Sequence, residues 1–466
     1  MSDFRTEIDS LGEVKVPAGC YYGAQTQRAV GNFPISGLKL QPEFVKAQAI
    51  IKSAAARANM ECGALERKIG DAIVAAAGEV IAGKLADQFV VDLFQAGAGT
   101  SQNMNMNEVL ANRAAEILGG KRGEYKLVHP NDHVNMAQST NDTIHVAIHI
   151  AAVMEVKSKL IPALEKLVRE LSAKEKEFDS IIKCGRTHLQ DAVPIRLGQE
   201  FGAYAAMMRQ NEKRIEQALD GLRELAIGGT AVGTGLNAPK GYRKAVVKYI
   251  NELTNSNFRS AGNMFEAMQS FDAVVEFSGA LRTLVSGLKK IADDIRLLGS
   301  GPLTGLNEIQ LPAVQPGSSI MPGKVNPVLA EMLNMVCSHV MGNDACIVHA
   351  SQGGQLELNV MMPVIGYNLI QEIQVLSSGM NAFAEKCIKG LKANENICLQ
   401  FAEKSTSLAT ALNPLIGYQR AAKLAQQAFR ENRSVRELAE EQGIADKETL
   451  NRVLDLRRMT ENPDDQ

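Results

Sequence analysis

Residues 271–298 read FDAVVEFSGALRTLVSGLKKIADDIRLL and contain no proline. Apolar side chains recur along this stretch at steps of three and four residues, which places them on one face of an α-helix. They are Val274, Val275, Leu281, Leu284, Val285, Leu288, Ile291, Ile295 and Leu298. A helix of this length far exceeds the mean helix length of about 11–12 residues. Because a long apolar face needs other helices to cover it, the stretch predicts an elongated helical bundle.

Two earlier stretches show the same spacing. Their apolar residues are Leu160, Ile161, Leu164, Leu167, Val168 and Leu171 in one, and Ile215, Leu219, Leu222 and Leu225 in the other. The composition agrees, since the chain has only 15 prolines, 5% aromatic residues and no tryptophan. These choices favour helices over sheets. The sequence therefore predicts an all-α fold.

The length of 466 residues suggests about three domains at roughly 150 residues each. We expect an N-terminal domain of short helices and irregular segments over 1–138, a central long-helix bundle over 139–392, and a small helical domain over 393–466. In the last of these, Ser434 and Glu437 form a capping-box pattern, Gly443 favours a helix end and Asp446 favours a new start. The polar residues 461–466 predict a frayed terminus.

Charge and composition exclude several classes of protein. The formal net charge is −2, and a nucleic-acid-binding protein needs a basic face. No stretch reaches the roughly 18 uninterrupted apolar residues of a membrane span. The first residues, MSDFRTE, have no apolar signal core. We therefore expect a cytoplasmic protein with neither nucleic-acid nor membrane partners.

The cysteines and histidines do not indicate a metal centre. The seven cysteines are scattered and form no C-x-x-C pair, so a disulfide framework or structural zinc site is not expected. His145 and His149 lie four residues apart, which is metal-ligand spacing, but no third ligand is near them in the sequence. The sequence predicts neither a metal nor a cofactor.

Four polar, glycine-rich segments interrupt the helical pattern. They are 97–108 (GAGTSQNMNMNE), 133–142 (HVNMAQSTND), 185–191 (GRTHLQD) and 317–327 (GSSIMPGKVNP). Each of them alone is compatible with loops and helix caps. Four of them in one chain favour a polar pocket where they converge.

Segment 317–327 is not a nucleotide-binding loop. It spaces its glycines one residue too far apart for the phosphate-binding pattern, and Val325 stands where that pattern has Ser or Thr. The segment 228–235, GGTAVGTG, does not fit G-x-G-x-x-G either. Backbone N–H groups around Gly317, Ser318 and Ser319 instead predict an anion-binding nest, to which Lys324 adds a full positive charge.

Segment 317–327 resembles the hallmark motif of the aspartase/fumarase superfamily. The matching G-T-S-x-N-M-N, Q-S-T-N-D and G-R-T-H-L-Q-D segments resemble its other active-site motifs, in the same order and spacing. The resemblance implies an all-α, three-domain protein whose central long helices form a homotetramer, with each active site built from three subunits. It also implies removal of a β-proton from a C4 dicarboxylate, loss of a group from the adjacent carbon, and fumarate as the product.

The resemblance also assigns a role to individual residues. Ser318 matches the general base, and His188 and Glu331 match a pair near the leaving group. The residues that match substrate-binding groups are Thr100, Ser139 and Thr140 for the enediolate, Lys324 and Asn326 for the second carboxylate, Asn141 and Thr187 for the leaving group, and Ser319 beside the base. A proton next to an ionised carboxylate is removable only if such groups stabilise the enediolate.

Three functions remain open at this stage. Ser101, Thr140 and the segment 358–361 (LNVM) resemble aspartate ammonia-lyases, so deamination of L-aspartate is expected. Class II fumarate hydratase is the alternative, because the carboxylate-binding groups are common to both branches. Thr143 to Val146 and Met362 depart from the usual pattern, which leaves the substrate open. A non-catalytic structural tetramer is the third reading.

Overall fold

The computed structural model describes residues 4–461, so the C-terminal residues 462–466 of the predicted frayed end lie outside the described residues. The helices are α1 (Ala24–Asn32), α2 (Pro42–Glu61), α3 (Arg67–Ile81), α4 (Thr100–Ile117), α5 (Thr140–Glu155), α6 (Ile161–Glu177), α7 (Leu197–Leu219), α8 (Tyr242–Thr254), α9 (Met264–Gln269), α10 (Asp272–Leu298), α11 (Val328–Ser351), α12 (Met362–Phe383), α13 (Glu395–Lys404), α14 (Asn413–Ile416), α15 (Tyr418–Glu431), α16 (Val435–Glu441) and α17 (Lys447–Val453).

The strands are short and pair only two at a time within residues 4–461. They are β1 (Phe4–Asp9), β2 (Gly12–Pro17), β3 (Ile182–Thr187), β4 (Gln190–Arg196), β5 (Glu224–Leu225), β6 (Arg259–Ser260), β7 (Ile309–Gln310), β8 (Gly354–Gln355), β9 (Leu358–Asn359) and β10 (Lys392–Ala393). The pairs β1–β2, β3–β4, β7–β10 and β8–β9 are antiparallel, and β5–β6 is parallel. The predicted all-α class is confirmed.

The chain divides into two compact units. The first unit contains Met1–Pro162, Glu212–Val285 and Ser338–Ser377, and the second contains Ala163–Asn211, Ser286–Cys337 and Ser378–Gln466. In the first unit, α2 packs against α3, α5 and α8. In the second, α15, α16 and α17 enclose a small apolar core. The three-domain division at residues 138 and 392 stays a prediction.

The 271–298 prediction is confirmed, since α10 runs for 27 residues without a break. Leu281 and Leu284 of this helix are completely buried in the first unit, and Leu288, Ile291 and Ile295 are equally buried in the second. Each such side chain contributes about 1.5–3 kcal/mol relative to its exposed state. The apolar face therefore supplies the main reason why this stretch is helical.

The stretch around Ile215 is only partly helical. Helix α7 ends at Leu219, Leu222 lies in a 3₁₀ turn, and Leu225 lies in β5. Both leucines are fully buried, so the spacing identified core positions correctly but the helix prediction was wrong for them. A Cβ on Gly221 would lie 3.2 Å from that of Ala273, and this close approach accompanies the turn.

The first 138 residues contain longer helices than the sequence predicted. Helix α2 has 20 residues and α4 has 18. Helix α4 begins inside the polar segment 97–108, and its amide side chains Asn103, Asn105 and Asn107 are buried. Buried amides need hydrogen-bond partners, and Asn103 finds its partners in the neighbouring polar segment, at Asn135 and Thr140.

The C-terminal caps follow the sequence prediction. Ser434 Oγ accepts the N–H of Glu437 at 3.1 Å, and the Glu437 carboxylate accepts the N–H of Ser434 at 3.0 Å. Gly443 has a left-handed φ of 59°. Asp446 caps α17 by accepting the N–H of Thr449 at 2.8 Å. The capping box and the following stop and start are confirmed.

His145 and His149 lie in the core of α5, with their ring centroids 4.5 Å apart. The His145 ring binds the carbonyl of Ser270 at 3.2 Å, and the His149 ring binds that of Glu224 at 3.0 Å. Within residues 4–461, no group of three or more His, Cys, Asp or Glu side chains is arranged to hold a metal. Both histidines therefore serve the core of the first unit.

These two histidines make stability depend on pH. Burial lowers the pKa of His145 to about 4, and burial together with the neighbouring His145 lowers that of His149 to about 3. The unfolded chain titrates near 6.5, so the unfolded state binds more protons between pH 6.5 and about 4. The stability that the two neutral histidines contribute is fully present above pH 6.5 and is lost as the pH falls. For His145 alone the loss from pH 7 to pH 5 is about 2 kcal/mol.

We expect His145→Gln to reduce this loss, as measured by urea unfolding at pH 7 and pH 5 at one protein concentration. His349→Gln is the matched control, since His349 is exposed on α11. An unchanged pH dependence in His145→Gln would contradict the assignment.

Candidate active site

Thr100 is the first residue of α4 and is exposed. Its hydroxyl donates to the carbonyl of Gly97 at 3.2 Å. The turn before it requires glycine, because Gly99 has a φ of 80° and a Cβ there would lie 3.1 Å from Ile144 of α5. The N–H of Ala98 donates to the carbonyl of Val360 at 2.8 Å. These contacts fix Thr100 near the start of α5.

Ser139 and Thr140 present hydroxyl groups at the N-terminus of α5. Ser139 caps the helix, because its Oγ accepts the N–H of Asn141 at 3.2 Å. Thr140 Oγ1 accepts Nδ2 of Asn103 at 3.1 Å. Each oxygen accepts a hydrogen bond from the protein, which leaves its own proton available for an anion. The positive end of the helix dipole adds to this donor arrangement.

Asn141 is held by its amide nitrogen. Nδ2 donates to the carbonyl of Ala231 at 2.7 Å. A carbonyl can only accept, so the nitrogen must face Ala231 and Oδ1 must be the opposite end. The local structure therefore offers Asn141 as an acceptor beside the hydroxyls of Ser139 and Thr140.

A buried lysine supports the same segment. Lys52 of α2 is completely buried, and its Nζ donates to Asn135 Oδ1 at 2.9 Å and to Gln138 Oε1 at 3.0 Å. Burial lowers the pKa of Lys52 to about 7, although the nearby Asp142 carboxylate opposes this shift. Its ammonium group contacts amide oxygens inside the first unit.

Thr187 and His188 lie at the tip of the β3–β4 hairpin in the second unit. His188 and Leu189 form its two-residue loop with φ values of 56° and 59°. This left-handed pair matches the twist of a hairpin but is costly without glycine or asparagine. Thr187, His188 and Leu189 are exposed in the single chain. The hairpin therefore presents its polar side chains outward at the cost of backbone strain.

Arg186 of the same motif supports the hairpin. It bonds the fully buried carboxylate of Glu308 at 2.9 Å. Lys183 bonds Glu308 at 2.9 Å and Glu200 at 2.7 Å. Burial lowers the pKa of Lys183, but the two carboxylates outweigh it and leave that pKa raised. Removing Glu308 would leave Arg186 without its carboxylate partner and Lys183 with Glu200 alone, which is destabilising.

Ser318 lies on the 317–327 loop of the second unit. Its Oγ accepts the N–H of Ile320 at 3.2 Å and that of Met321 at 3.0 Å. Donors aimed at a hydroxyl oxygen favour its anion. The donors to the Ser318 oxygen are residues 320 and 321, and the anion-binding nest around Gly317, Ser318 and Ser319 stays a prediction. Ser319, next to Ser318 in the chain, is exposed.

Lys324 and Asn326 close the same loop. Lys324 Nζ donates to Asn326 Oδ1 at 2.6 Å, and Asn326 Nδ2 donates to the carbonyl of Gly317 at 2.6 Å. A Cβ on Gly317 would lie 2.4 Å from the carbonyl oxygen of Lys324, so only glycine fits there. The loop lines a cavity of about 500 Å³ that includes Ser318 and Lys324. It places the Ser318 hydroxyl and the Lys324 ammonium on one surface.

Glu331 lies in the first turn of α11 in the second unit. Among residues 4–461 of the single chain, no hydrogen bond or ion pair joins it to His188. The pairing of these two residues stays a prediction, which an assembled form of the protein must test.

Two family models match this chain. One, described as Lyase, matches residues 12–342, and the other, described as the Fumarase C C-terminus, matches residues 408–461. The first covers all four polar segments. The chain belongs to the aspartase/fumarase superfamily of lyases.

Curated relatives of this lyase include two kinds of enzyme. It is 49% identical over 458 residues to the aspartate ammonia-lyase of Bacillus subtilis (strain 168), covering 98% of this chain and 96% of that relative. It is 48% identical over 459 residues to the class II fumarate hydratase of Brucella suis biovar 1 (strain 1330), covering 98% and 99%. It is 51% identical over 458 residues to the class II fumarate hydratase of Halobacterium salinarum, covering 98% of this chain and 97% of that relative.

Solved structures agree with this assignment. A fumarate lyase:delta crystallin from Brucella melitensis bound to cobalt has a TM-score of 0.95 and 48% identity, covering 98% of this chain and all of that chain. A class II fumarase from Schistosoma mansoni has a TM-score of 0.95 and 40% identity, covering 98% and 99%. The superfamily fold is thus shared along the chain, whereas both leaving-group chemistries occur among the relatives.

The departures of this lyase from the usual pattern lie in its core. Thr143, Ile144, His145 and Val146 of α5 are buried, and Met362 at the start of α12 is completely buried. Thr143 Oγ1 donates to the carbonyl of Ser139 at 2.9 Å. These positions therefore belong to the packed core.

Several supporting residues of this lyase escaped sequence reasoning. The Asp142 carboxylate accepts the N–H of the helix cap Ser139. The S-x-x-D pattern of residues 139–142 is close enough to a capping box to have indicated this contact. Lys52 gave no signal, because it lies in an alanine-rich helix. The role of Ala231 is carried by a backbone carbonyl, which no side-chain pattern reveals.

Proposed function

We propose that this lyase is an aspartate ammonia-lyase that converts L-aspartate reversibly into fumarate and ammonia. The observation that carries the proposal is the orientation of Asn141, whose Nδ2 is bound by Ala231 and whose Oδ1 is left as an acceptor. An ammonium group has only donors, so it requires acceptors. Both kinds of relative are equally similar to the chain, so sequence identity does not choose between ammonia and water as the leaving group. The Asn141 acceptor supports ammonia.

The reaction begins at Ser318. Its alkoxide, stabilised by the N–H groups of Ile320 and Met321, takes the β-proton of L-aspartate, and the C–H electron pair passes into the enediolate of the neighbouring carboxylate. Thr100, Ser139 and Thr140 donate hydrogen bonds to that enediolate. Lys324 and Asn326 hold the other carboxylate, with Ser319 beside the base.

The second step breaks the C–N bond. The enediolate pair returns to form the C=C bond of fumarate, and the C–N pair leaves with nitrogen as ammonia. Asn141, Thr187 and a ring nitrogen of His188 accept hydrogen bonds from the ammonium group before it leaves. The proton held by Ser318 then passes to ammonia, which restores the alkoxide and balances the reaction as L-aspartate to fumarate and ammonium.

The test is to supply L-aspartate and L-malate in parallel and to measure both fumarate, at about 240 nm, and ammonia. We expect L-malate to be used at least about a hundredfold less efficiently, which corresponds to about 2.7 kcal/mol in transition-state binding. Fumarate from malate without ammonia from aspartate would assign the lyase to the class II fumarate hydratases, with His188 and Glu331 activating water. If neither L-aspartate nor L-malate were converted, the remaining function would be that of a non-catalytic structural tetramer.

The proposed enzyme is a homotetramer that acts on a small dicarboxylate in the cytoplasm. No helix among the described residues is long and apolar enough to cross a membrane. Thr100 and the 139–141 segment belong to the first unit, and the hairpin and the 317–327 loop belong to the second. We propose that three subunits contribute these segments to each site.

This proposal predicts recovery of activity in mixed tetramers. When inactive His188→Ala and Lys324→Met chains are unfolded and refolded together in equal amounts, about a quarter of the sites should receive both a normal hairpin and a normal loop. Activity should rise to about that fraction of the unmodified enzyme, measured as ammonia release. Ser318→Ala mixed with Lys324→Met is the control, because both changes affect the same loop and no mixture restores it. No recovery in properly assembled tetramers of the first mixture would refute shared sites.

A further inference from the structure

The segment 228–231 lies directly against the start of α5. The N–H groups of Gly228 and Thr230 donate to Oδ2 of Asp142 at 3.0 and 3.1 Å. Oδ1 of the same carboxylate accepts the N–H of Ser139 at 2.9 Å. Asp142 is completely buried. One carboxylate thus joins a loop to a helix N-terminus through three backbone donors.

The loop is strained where it meets this carboxylate. Thr230 is β-branched but has a left-handed φ of 54°, which is unfavourable for such a side chain. Its hydroxyl is buried without a hydrogen-bond partner. Strain of this kind persists only where the surroundings impose it, and it concentrates at functional sites. In this strained conformation the Thr230 N–H donates to the Asp142 carboxylate.

The strained loop determines the orientation of Asn141. Residue 231 follows Thr230 directly, and its carbonyl binds Asn141 Nδ2 at 2.7 Å. If this carbonyl moved away, the Asn141 amide would lose the contact that distinguishes its two ends. The acceptor that faces the leaving group therefore depends on the position of the 228–231 loop.

Two titratable side chains, Lys52 and Tyr242, lie near Asp142. Burial raises the pKa of Asp142 to about 7, although the three N–H groups and the Lys52 charge oppose this. The phenol of Tyr242 is also near and is buried without a hydrogen-bond partner. Neither Lys52 nor Tyr242 donates to Asp142 in the described residues. The hydrogen bonds of this carboxylate therefore come from the three backbone N–H groups.

We propose that Asp142 is a positioning residue for leaving-group specificity, which fixes the 228–231 loop so that Ala231 keeps the Asn141 oxygen directed at the leaving group. This inference rests on the proposed function, because it concerns the ammonium group of that reaction. Asp142 acts through the loop and through Asn141 without touching substrate.

Asp142→Asn is the direct test, since it preserves size but replaces one acceptor oxygen by a donor that faces backbone N–H groups. In the amination of fumarate we expect the KM for ammonium to rise about tenfold, the effect of one misplaced hydrogen bond. The KM for fumarate should stay within about twofold, because the oxygen that the asparagine keeps still accepts the Ser139 N–H and Lys324 lies on a different loop. A general loss of folding would instead affect both substrates alike.

Asp92→Asn is the matched control. Asp92 is also buried in the first unit, and it accepts three backbone N–H groups, from Ser36, Gly37 and Phe94. The same substitution there should lower stability and leave the KM for ammonium unchanged. Gly228→Ala is a second variant, in which a Cβ would lie 3.2 Å from Arg243 at a φ of 88°. It displaces the loop without altering Asp142, and should also raise the KM for ammonium selectively.

The outcomes separate the two proposals. If the unmodified enzyme forms ammonia but Asp142→Asn changes the KM of ammonium and of fumarate by the same factor, the positioning role is wrong and the function stands. If Asp142→Asn does not fold, an unchanged KM for ammonium in Gly228→Ala overturns the inference. If the unmodified enzyme forms no ammonia from aspartate, the proposed function fails and the inference fails with it.

Discussion

Ser318→Ala should lower kcat about 10²–10⁴-fold, the range for loss of a general acid or base. The expected cause is specific, because Ser318 Oγ accepts two backbone N–H groups that favour its anion, and alanine leaves these donors without an oxygen to activate. Stability should change little, since the loop around residue 320 is exposed. The measurement is kcat for ammonia release together with thermal unfolding.

Ser434→Ala is the control for this experiment. Its hydroxyl also accepts a backbone N–H, but it caps a helix in the C-terminal part of the second unit. Its loss should cost about 1 kcal/mol of stability without altering kcat. A near-normal kcat in Ser318→Ala would remove Ser318 from the base role.

Lys324→Met should lower kcat/KM about 10²–10³-fold, as expected for loss of a preorganised charge. The KM should rise as well, because the carboxylate that Lys324 binds is already charged in the ground state. Lys324→Arg should recover part of the binding but little of the rate, since the guanidinium is larger and planar. It cannot reproduce the compact contact of Nζ with Asn326.

Lys404→Met is the control for charge alone, since Lys404 is an exposed lysine at the end of α13. Steady-state assays over a range of aspartate concentrations provide both constants. Unchanged kcat and KM in Lys324→Met would exclude Lys324 from binding the carboxylate.

Local pattern predicted the helices best where one long apolar face was buried. Helix α10 follows its spacing from Asp272 to Leu298. The same reasoning was wrong at Leu222, because a spacing of three residues suits a buried 3₁₀ turn as well as a helix, and at Leu225, which lies in strand β5. Spacing identifies which side chains are buried more reliably than it identifies the backbone that carries them.

Motifs identified the chemical groups but not their hydrogen bonds. The N–H donors to Ser318 come from Ile320 and Met321, which the motif alone did not identify. Arg186 lies inside a site motif, yet its guanidinium binds the buried Glu308, 122 residues away. Such roles depend on long-range neighbours, which a local motif does not contain.

The sequence by itself determined the all-α class, the superfamily and the residue types available for catalysis, because apolar spacing and short motifs are local properties of the chain. Only the tertiary structure decided which atom of each residue is free to act. Asn141 offers its oxygen because the carbonyl of Ala231, 90 residues away, binds its nitrogen. Asp142 supports the site because Gly228 and Thr230 bring their N–H groups to its buried carboxylate. A hydrogen bond has a direction, and that direction is fixed only when distant segments pack together and exclude water.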